Sequence, residues 1–489
     1  MILSRRPLLL PGPRWRPLLA STAPQFHSGG VVGQSDEDKP SASTASTAST
    51  ATAARSRRRR ARRKRQAEAA GDPYLPPPPP CSFPEWEPRA FFGFELVHQS
   101  KKSGSRARVG RIHTPHGVID TPGYVAVATN GALKYADHMV HGSQLQFCNS
   151  YHLLLQPGPE VIEACGGLHK FMNRDQPIIT DSGGFQIFSL AYNTVHDELN
   201  MKARAKTERP GHSPTVLQVT EEGVTFRSYR DGTKVVLTPE STVAAQKAYG
   251  SDIIIPLDEL PPYHLGREDL VKSVLLTHRW EARSLRAHLA DPRQQAMYGV
   301  LHGGVDRELR QASVEYLRSL PFDGFAIGGS LGKDRDELID LLRFLMPMVP
   351  ANKPNHLLGV ADVESIHRAV PLGVDTFDSC FPTRNARHGS VLCRASSTDA
   401  KTVGLGGAAG AFDFGIAQLA LKKKEHATDL RPIDEQCQCY TCRNHSRAYL
   451  HHLVRAHEPM AATLLTIHNL QFMSDLMSQV RERILNDEI

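Results

Sequence analysis

Three aspartates stand just beyond short apolar runs, each in company that could do chemistry. Asp181 opens the stretch Asp181-Ser182-Gly183-Gly184-Phe185-Gln186, Asp258 is followed by Glu259, and Asp378 precedes Pro382-Thr383-Arg384 and Arg387. Two glycine pairs fall at similar places: Gly303-Gly304 after His302, and Gly328-Gly329 before Ser330. If these converge on one mouth, the glycines let a flat ligand approach backbone N–H groups while the carboxylates act on it. Each feature alone has an ordinary explanation. An aspartate at a strand end often caps a helix, a glycine pair usually makes a tight turn, and two arginines can be surface charge. The chemical reading rests on their co-location.

A second cluster carries metal chemistry. Cys437, Cys439 and Cys442 form a C-x-C-x-x-C pattern, the spacing of thiolate ligands for tetrahedral zinc. The other five of the eight cysteines are scattered, and a chain this long needs no disulfide scaffold, so reduced thiols and one metal site are expected. Spacing leaves the fourth ligand open among His445, His451, His452, His457 and His468. With four protein ligands the site is closed and the zinc structural, one per chain. It would pin a C-terminal helix whose apolar stripe, Leu470, Met473, Met477, Val480 and Ile484, reads as core or subunit interface.

The elements that must position these residues recur along the chain. Candidate strands are Tyr124–Ala128, Leu145–Asn149, Ile178–Thr180, Ile253–Leu257, Ala296–Leu301, Gly324–Ile327, His356–Leu358 and Thr376–Phe377. Several precede helix patterns; in one, Thr238 caps, Pro239 opens the first turn and Gly250 closes. Eight strand–helix units predict an α/β fold, a (β/α)8 TIM barrel, whose active site lies at the C-terminal ends of the strands. Val216–Leu237, with an Asp231-Gly232 turn, reads as a β-hairpin inserted between the third and fourth strands.

Charge is unevenly spread over the 489 residues. The first 90 hold 15 Lys/Arg and 7 Asp/Glu, leaving 43 and 44 for the rest, so the net charge of +7 belongs to the N-terminal tail. That tail combines acid-free residues 1–35, a Ser/Ala/Thr repeat over 41–54, the basic run Arg55–Arg65 and the prolines Pro76–Pro80. It reads as a disordered segment over 1–88 with a transit peptide. This gives an organellar address, mitochondrial before plastid, with the cytoplasm otherwise. The barrel is expected over 89–400 and a zinc-binding subdomain with C-terminal helices over 401–489. Gly406-Gly407 reads as a flexible loop, and Lys422-Lys423-Lys424 as a phosphate patch or a solvated face. No stretch is long and apolar enough for membrane insertion.

Longer motifs make the reading specific. Thr180-Asp-Ser-Gly-Gly-Phe-Gln186, Phe377-Asp-Ser-Cys-Phe-Pro-Thr-Arg384, Asn149-Ser-Tyr-His-Leu153, Gln156-Pro-Gly-Pro159 and the cysteine cluster with Thr466-Ile-His-Asn469 resemble the tRNA-guanine transglycosylase family. The resemblance runs from about Phe91 to the C-terminus, and Ala126–Leu133 with the Arg483–Ile489 ending points to the chlamydial branch. It implies a pentosyltransferase that exchanges guanine at the first anticodon position of GUN-anticodon tRNAs (Asp, Asn, His, Tyr) for queuine or a 7-deazaguanine precursor. Asp378 matches the nucleophile and Asp181 the general acid/base of a double displacement. Asp258 matches the reader of the base's amide and amino edge. Ser182, Gln186, Gly328 and Gly329 match further base contacts, and Phe185 with Leu358 the sides of the base slot. Arg384 and Arg387 match positions that approach the anticodon. The resemblance picks His468 as fourth zinc ligand.

Departures bear on the incoming base. His302 stands where the family usually has Gln, and would donate to the base's carbonyl through one nitrogen. Leu260 replaces a frequent Cys, and Ser330 a common Leu. The expected partners are tRNA, queuine or a related base, and a second copy of the chain in a homodimer, or a catalytically silent paralogue in a heterodimer. An archaeosine-type enzyme would need a further C-terminal RNA-binding domain, for which the 21 residues after His468 leave no room. A non-catalytic tRNA-binding accessory subunit is expected to lack the aspartates kept here. A TIM-barrel zinc hydrolase would need an open metal site at the strand ends.

Overall fold

The computed structural model describes residues 72–137, 143–192, 216–394 and 415–489. The Ser/Ala/Thr repeat, the Arg55–Arg65 run and Gly406-Gly407 lie outside them. Eight parallel strands close a barrel in the order β4 (Gly123–Val127), β5 (Gln146–Cys148), β6 (Ile178–Thr180), β10 (Ile253–Ile254), β11 (Ala296–Leu301), β12 (Gly324–Ile327), β13 (Asn355–Leu357) and β14 (Thr376–Ser379), which pairs back to β4. β11 is buried at every position, as a parallel strand must be when its two faces meet barrel interior and outer helices. All eight expected strands form barrel staves. The fourth is shorter than expected because the Gln246 side chain takes both backbone groups of Ile255, accepting from its N–H at 3.1 Å and donating to its carbonyl at 2.8 Å. The helix before that strand, Pro239–Tyr249, has the expected ends: a capping box between Thr238 and Ser241, and Gly250 left-handed at φ 65°.

The insertion is larger than a hairpin. Val216–Val219 (β7), Val224–Arg227 (β8) and Lys234–Leu237 (β9) form a three-stranded antiparallel sheet. The Asp231 side chain organises its second turn by accepting from the Thr233 N–H and hydroxyl, with Gly232 left-handed.

A second three-stranded sheet, β1 (Gly93–Gln99), β2 (Arg108–Thr114) and β3 (Gly117–Thr121), packs Ile112 and Ile119 against the barrel interior residues Val125, Phe147 and Ile179. Residues 72–88, read from composition as part of the tail, pack on the barrel instead. Phe83 joins its core, the Tyr74 hydroxyl donates to Glu268, and Trp86 Nε1–H donates to Asp323. The N-terminal segment is held by three aspartates that each immediately precede a barrel strand. Asp252 meets His116 at 2.7 Å, Asp323 accepts from Trp86 and Arg89, and Asp375 accepts two bonds from Arg108 at 2.8 and 2.6 Å. At this end of a barrel such groups serve stability. Asp375 is fully buried, so Arg108→Ala would strand its charge. We expect a loss of about 3–5 kcal/mol in chemical denaturation, with the exchange rate per folded molecule unchanged.

Ser390–Arg394 (β15) pairs antiparallel with Ile416–Ala420 (β16). The long helix Pro459–Leu485 then returns along the barrel. Its stripe is core: Leu470, Met473, Met477, Val480 and Ile484 are all at most 2 % exposed within the single chain, which leaves none of it for a subunit interface. No helix among the described residues is long and apolar enough to cross a membrane.

Candidate active site and thiolate cluster

The other three aspartates sit at the opposite ends of the strands. Asp181 follows β6 and is held by neighbours from the helix Ser150–Leu155. Asn149 Nδ2 donates to its Oδ2 and the Ser150 N–H to its Oδ1, both at 2.7 Å, and the Gly183 N–H reaches Oδ1 at 3.2 Å. Gly183 is left-handed, and a Cβ there would lie 2.9 Å from the Tyr151 nitrogen, so only glycine lets the loop close over this helix. Burial pushes the Asp181 carboxyl up to about 6; the donors from Asn149, Ser150, Gln186 and Gly183 pull against it. The result is a carboxyl that can hold or release a proton near neutrality.

Asp258 lies beyond β10 against the same loop. Ser182 Oγ donates to its Oδ1 at 3.3 Å and accepts from the Gly184 N–H. His302, 1 % exposed in its side chain, places Nε2 2.8 Å from Asp258 Oδ2. The histidine expected to donate to a ligand carbonyl is thus engaged with a carboxylate. Its other nitrogen faces Gly329, where a Cβ would stand 2.9 Å from Nδ1. A Cβ at Gly328 would meet Val300 at 2.6 Å and Leu358 at 3.0 Å. His302, the glycine pair and Leu358 therefore form one tightly packed wall beside Asp258. Phe185 stands half-exposed on the first turn of the helix Gly184–Tyr192.

Asp378 lies within β14, almost buried. Its Oδ1 accepts from the Gly359 N–H at 2.7 Å and lies 3.1 Å from His356 Nε2, while its Oδ2 has no hydrogen bond among the described residues. Cys380 follows, and the charges of Arg384, Arg387 and Lys134 all act on its thiol. Both arginines are exposed on the short helix Phe381–Arg387, so cationic side chains stand near the segment that carries the aspartate. Sequence reasoning missed Lys134. It also missed a patch from the inserted sheet, where Tyr229, 53 % exposed, meets His152 at 3.3 Å under the Arg230 guanidinium. Lys422, Lys423 and Lys424 are exposed just after β16, and no described bond joins them to the aspartates.

The cysteines gather beside the long C-terminal helix, where Cys437 and Cys439 pack with Ile467 and with Ala136. Cys437, Cys439 and Cys442 surround His468, with Sγ atoms 3.6, 3.6 and 3.2 Å from its Nδ1. A tetrahedral ion with thiolate and imidazole bonds of the usual lengths requires a sulfur–nitrogen spacing of about 3.6 Å, so the four side chains fit one metal ion. His468 Nε2 lies 2.6 Å from the Leu392 carbonyl, which fixes that nitrogen as the N–H donor and turns Nδ1 toward the sulfurs. Of the five histidines left open by spacing, His468 alone joins this group among the described residues.

The family model described as queuine tRNA-ribosyltransferase matches residues 102–489. The chain belongs to that family. A protein of Protochlamydia amoebophila named queuine tRNA-ribosyltransferase is 54 % identical over 402 residues, 82 % of this chain and 97 % of its own length. Relatives of the same name from Chlamydia caviae and Chlamydia felis are 50 % and 49 % identical over 398 residues, 81 % of this chain and 99 % of theirs. The tRNA-guanine transglycosylase resemblance is thereby established, and with it an enzyme of the pentosyltransferase class rather than a silent accessory subunit. The organellar address is overturned. These queuine tRNA-ribosyltransferases come from bacteria, whose enzymes work without mitochondrion or plastid.

Proposed function

We propose that this chain exchanges guanine at the first anticodon position of GUN-anticodon tRNAs for queuine, through a covalent ribosyl-enzyme intermediate. The observation that carries the reading is the pairing of Asp378, whose Oδ2 is free at the mouth, with Asp181, whose carboxyl is poised near neutrality. Asp378 Oδ2 attacks the anomeric carbon. The bond to guanine breaks, its electron pair leaves with the base, and Asp181 supplies the proton. The incoming base then gives its ring N–H proton to Asp181, attacks the anomeric carbon and expels the Asp378 carboxylate. Two inversions retain configuration, and one glycosidic bond replaces another without ATP.

Asp258 accepts N–H groups of the base edge, held in place by Ser182 and His302. Phe185 and Leu358 flank the ring. Gln186, Gly328 and Gly329 complete the slot, and Arg384 and Arg387 approach the anticodon bases, with Lys134 adding positive charge for the RNA. The test is release of labelled guanine from an anticodon stem-loop by purified protein with queuine present. No release would sink the reading.

Zinc is the ion we assign to Cys437, Cys439, Cys442 and His468; three thiolates and an imidazole suit it, and a closed tetrahedral set makes it structural. For assembly we assign a homodimer, supported by a catalytic set complete in one chain. Light scattering should give dimer mass for active protein expressed alone, and monomer mass counts against it.

Queuine over its bare-amine precursor is supported by charge. The Ser330 carbonyl, which would meet an ammonium arm, already accepts from the buried Arg310 guanidinium at 3.0 Å. Beyond Ser330 a cavity of about 300 Å³, lined by Pro261, Tyr263, Leu270 and Val305 with the Asp306 carboxylate already paired to Arg267, gives volume for a cyclopentenediol. The expected ratio of kcat/KM is about tenfold or more for queuine. A ratio of one or below would remove these groups as determinants.

A further inference from the structure

We infer that His356 is a positioning residue for the nucleophile: it fixes Asp378 Oδ2 as the attacking oxygen and stabilises the carboxylate as it departs in the second displacement. The inference rests on the covalent reading above. His356 lies on β13, fully buried, its ring stacked 5.9 Å from that of Phe147. An imidazole buried in a barrel strand needs partners for both nitrogens. Nδ1 lies 2.9 Å from Thr376 Oγ1 and accepts its single hydroxyl hydrogen when Nε2 carries the ring hydrogen; the Asn355 carbonyl, 3.1 Å from the same oxygen, is the alternative acceptor. Nε2 lies 3.1 Å from Asp378 Oδ1. A carboxylate only accepts, so before attack Nε2 carries the hydrogen and donates it.

The same Oδ1 takes a second bond from the Gly359 N–H at 2.7 Å, presented by a left-handed residue at φ 76°. Two donors on one oxygen make the two carboxylate oxygens inequivalent. Oδ1 is tied to β13 and its following turn, and Oδ2 is left for the anomeric carbon. When the ester forms, Oδ1 becomes its carbonyl oxygen and loses charge. When the incoming base breaks the C1′–Oδ2 bond, that electron pair returns to the carboxylate and charge grows again on Oδ1, facing both donors. They strengthen as the ester breaks, so they assist the second displacement more than the first.

The test compares His356→Gln with His356→Asn. The glutamine amide reaches the place of Nε2, whereas the asparagine amide reaches only the place of Nδ1. Ribosyl-enzyme formed from an anticodon stem-loop is isolated and mixed with free guanine, and its formation and breakdown are timed separately. Thermal melts establish that each variant is folded. His356→Asn should slow breakdown about 10- to 100-fold, the effect of losing one donor to a charged group, with a smaller effect on formation and little change in KM for RNA. Its steady-state adduct should rise. His356→Gln should stay within about threefold of the parent, since it keeps the donor. Equal slowing of both steps, or breakdown in His356→Asn as fast as in the parent, overturns the inference. Absence of any adduct in the parent protein overturns the covalent reading itself, and this inference with it.

Discussion

Asp378→Ala is expected to abolish base exchange, lowering kcat by about 10⁴-fold or more, while the stem-loop still binds. Losses of this size follow when a covalent nucleophile is removed, because no other group makes the bond to carbon. Here the expectation has a structural basis. The groups hydrogen-bonded to Asp378, His356 Nε2 and the Gly359 N–H, act on it as donors rather than as nucleophiles. Asp181 is directed elsewhere, with both oxygens held by Asn149, Ser150 and Gly183. Binding should survive because Arg384, Arg387 and Lys134 are untouched. Gel-shift measurements and single-turnover exchange on one preparation separate the two effects. Exchange within tenfold of the parent would move the nucleophile elsewhere.

Removal of the metal is expected to have the second largest effect, and to act through folding. Structural zinc contributes on the order of 10 kcal/mol or more to small thiolate modules. In this chain His468 lies on the helix whose Met473, Met477, Val480 and Ile484 pack into the barrel core. Chelation, or Cys439→Ser, should therefore loosen that helix and lower the yield of folded protein. Whatever remains folded should turn over at nearly the parent rate, because no cysteine of the cluster bonds to Asp181, Asp258 or Asp378 in the described residues. One zinc per chain by elemental analysis, with melting temperature and activity falling together on chelation, is the expected result. Well-folded protein without metal would contradict it.

What could be read from the sequence follows the strength of the physical signal. The barrel staves were legible because a buried parallel strand such as Ala296–Leu301 is apolar on both faces and short. The N-terminal sheet was not, because β1 leaves Glu95, Leu96 and Val97 exposed and mixes apolar and polar residues without clean alternation. The insertion was read as a hairpin because its Asp231-Gly232 turn is a strong signal, whereas the turn at 220–223 is made by a bond between Thr220 N–H and the Gly223 carbonyl. Residues 72–88 looked unstructured by their prolines, yet single aromatic side chains, Tyr74, Phe83 and Trp86, anchor them.

The candidate site divides in the same way. Thiolate spacing gave three ligands, and only the family resemblance singled out the fourth. The three mouth aspartates were visible as strand-end residues. Their supporting groups were less so. His302 was legible as a candidate base contact, but its bond to Asp258 was not, because that bond depends on two strands meeting in space. His356 opened the candidate strand His356–Leu358, and nothing in that short run linked its ring to Asp378 on the next strand. The charged tail pointed toward an organelle through composition alone, which says nothing of ancestry; the bacterial relatives corrected it.

The central claim is that Asp378 becomes covalently joined to ribose during exchange. The direct measurement is peptide mapping by mass spectrometry of the adduct trapped between this protein and an anticodon stem-loop, after nuclease and protease digestion. The account predicts a ribosyl mass on the peptide containing Phe377-Asp378-Ser379, present in the parent and absent from Asp378→Ala. A ribosyl mass on the Asp181 peptide, or exchange at full rate with no adduct under any trapping condition, would contradict it.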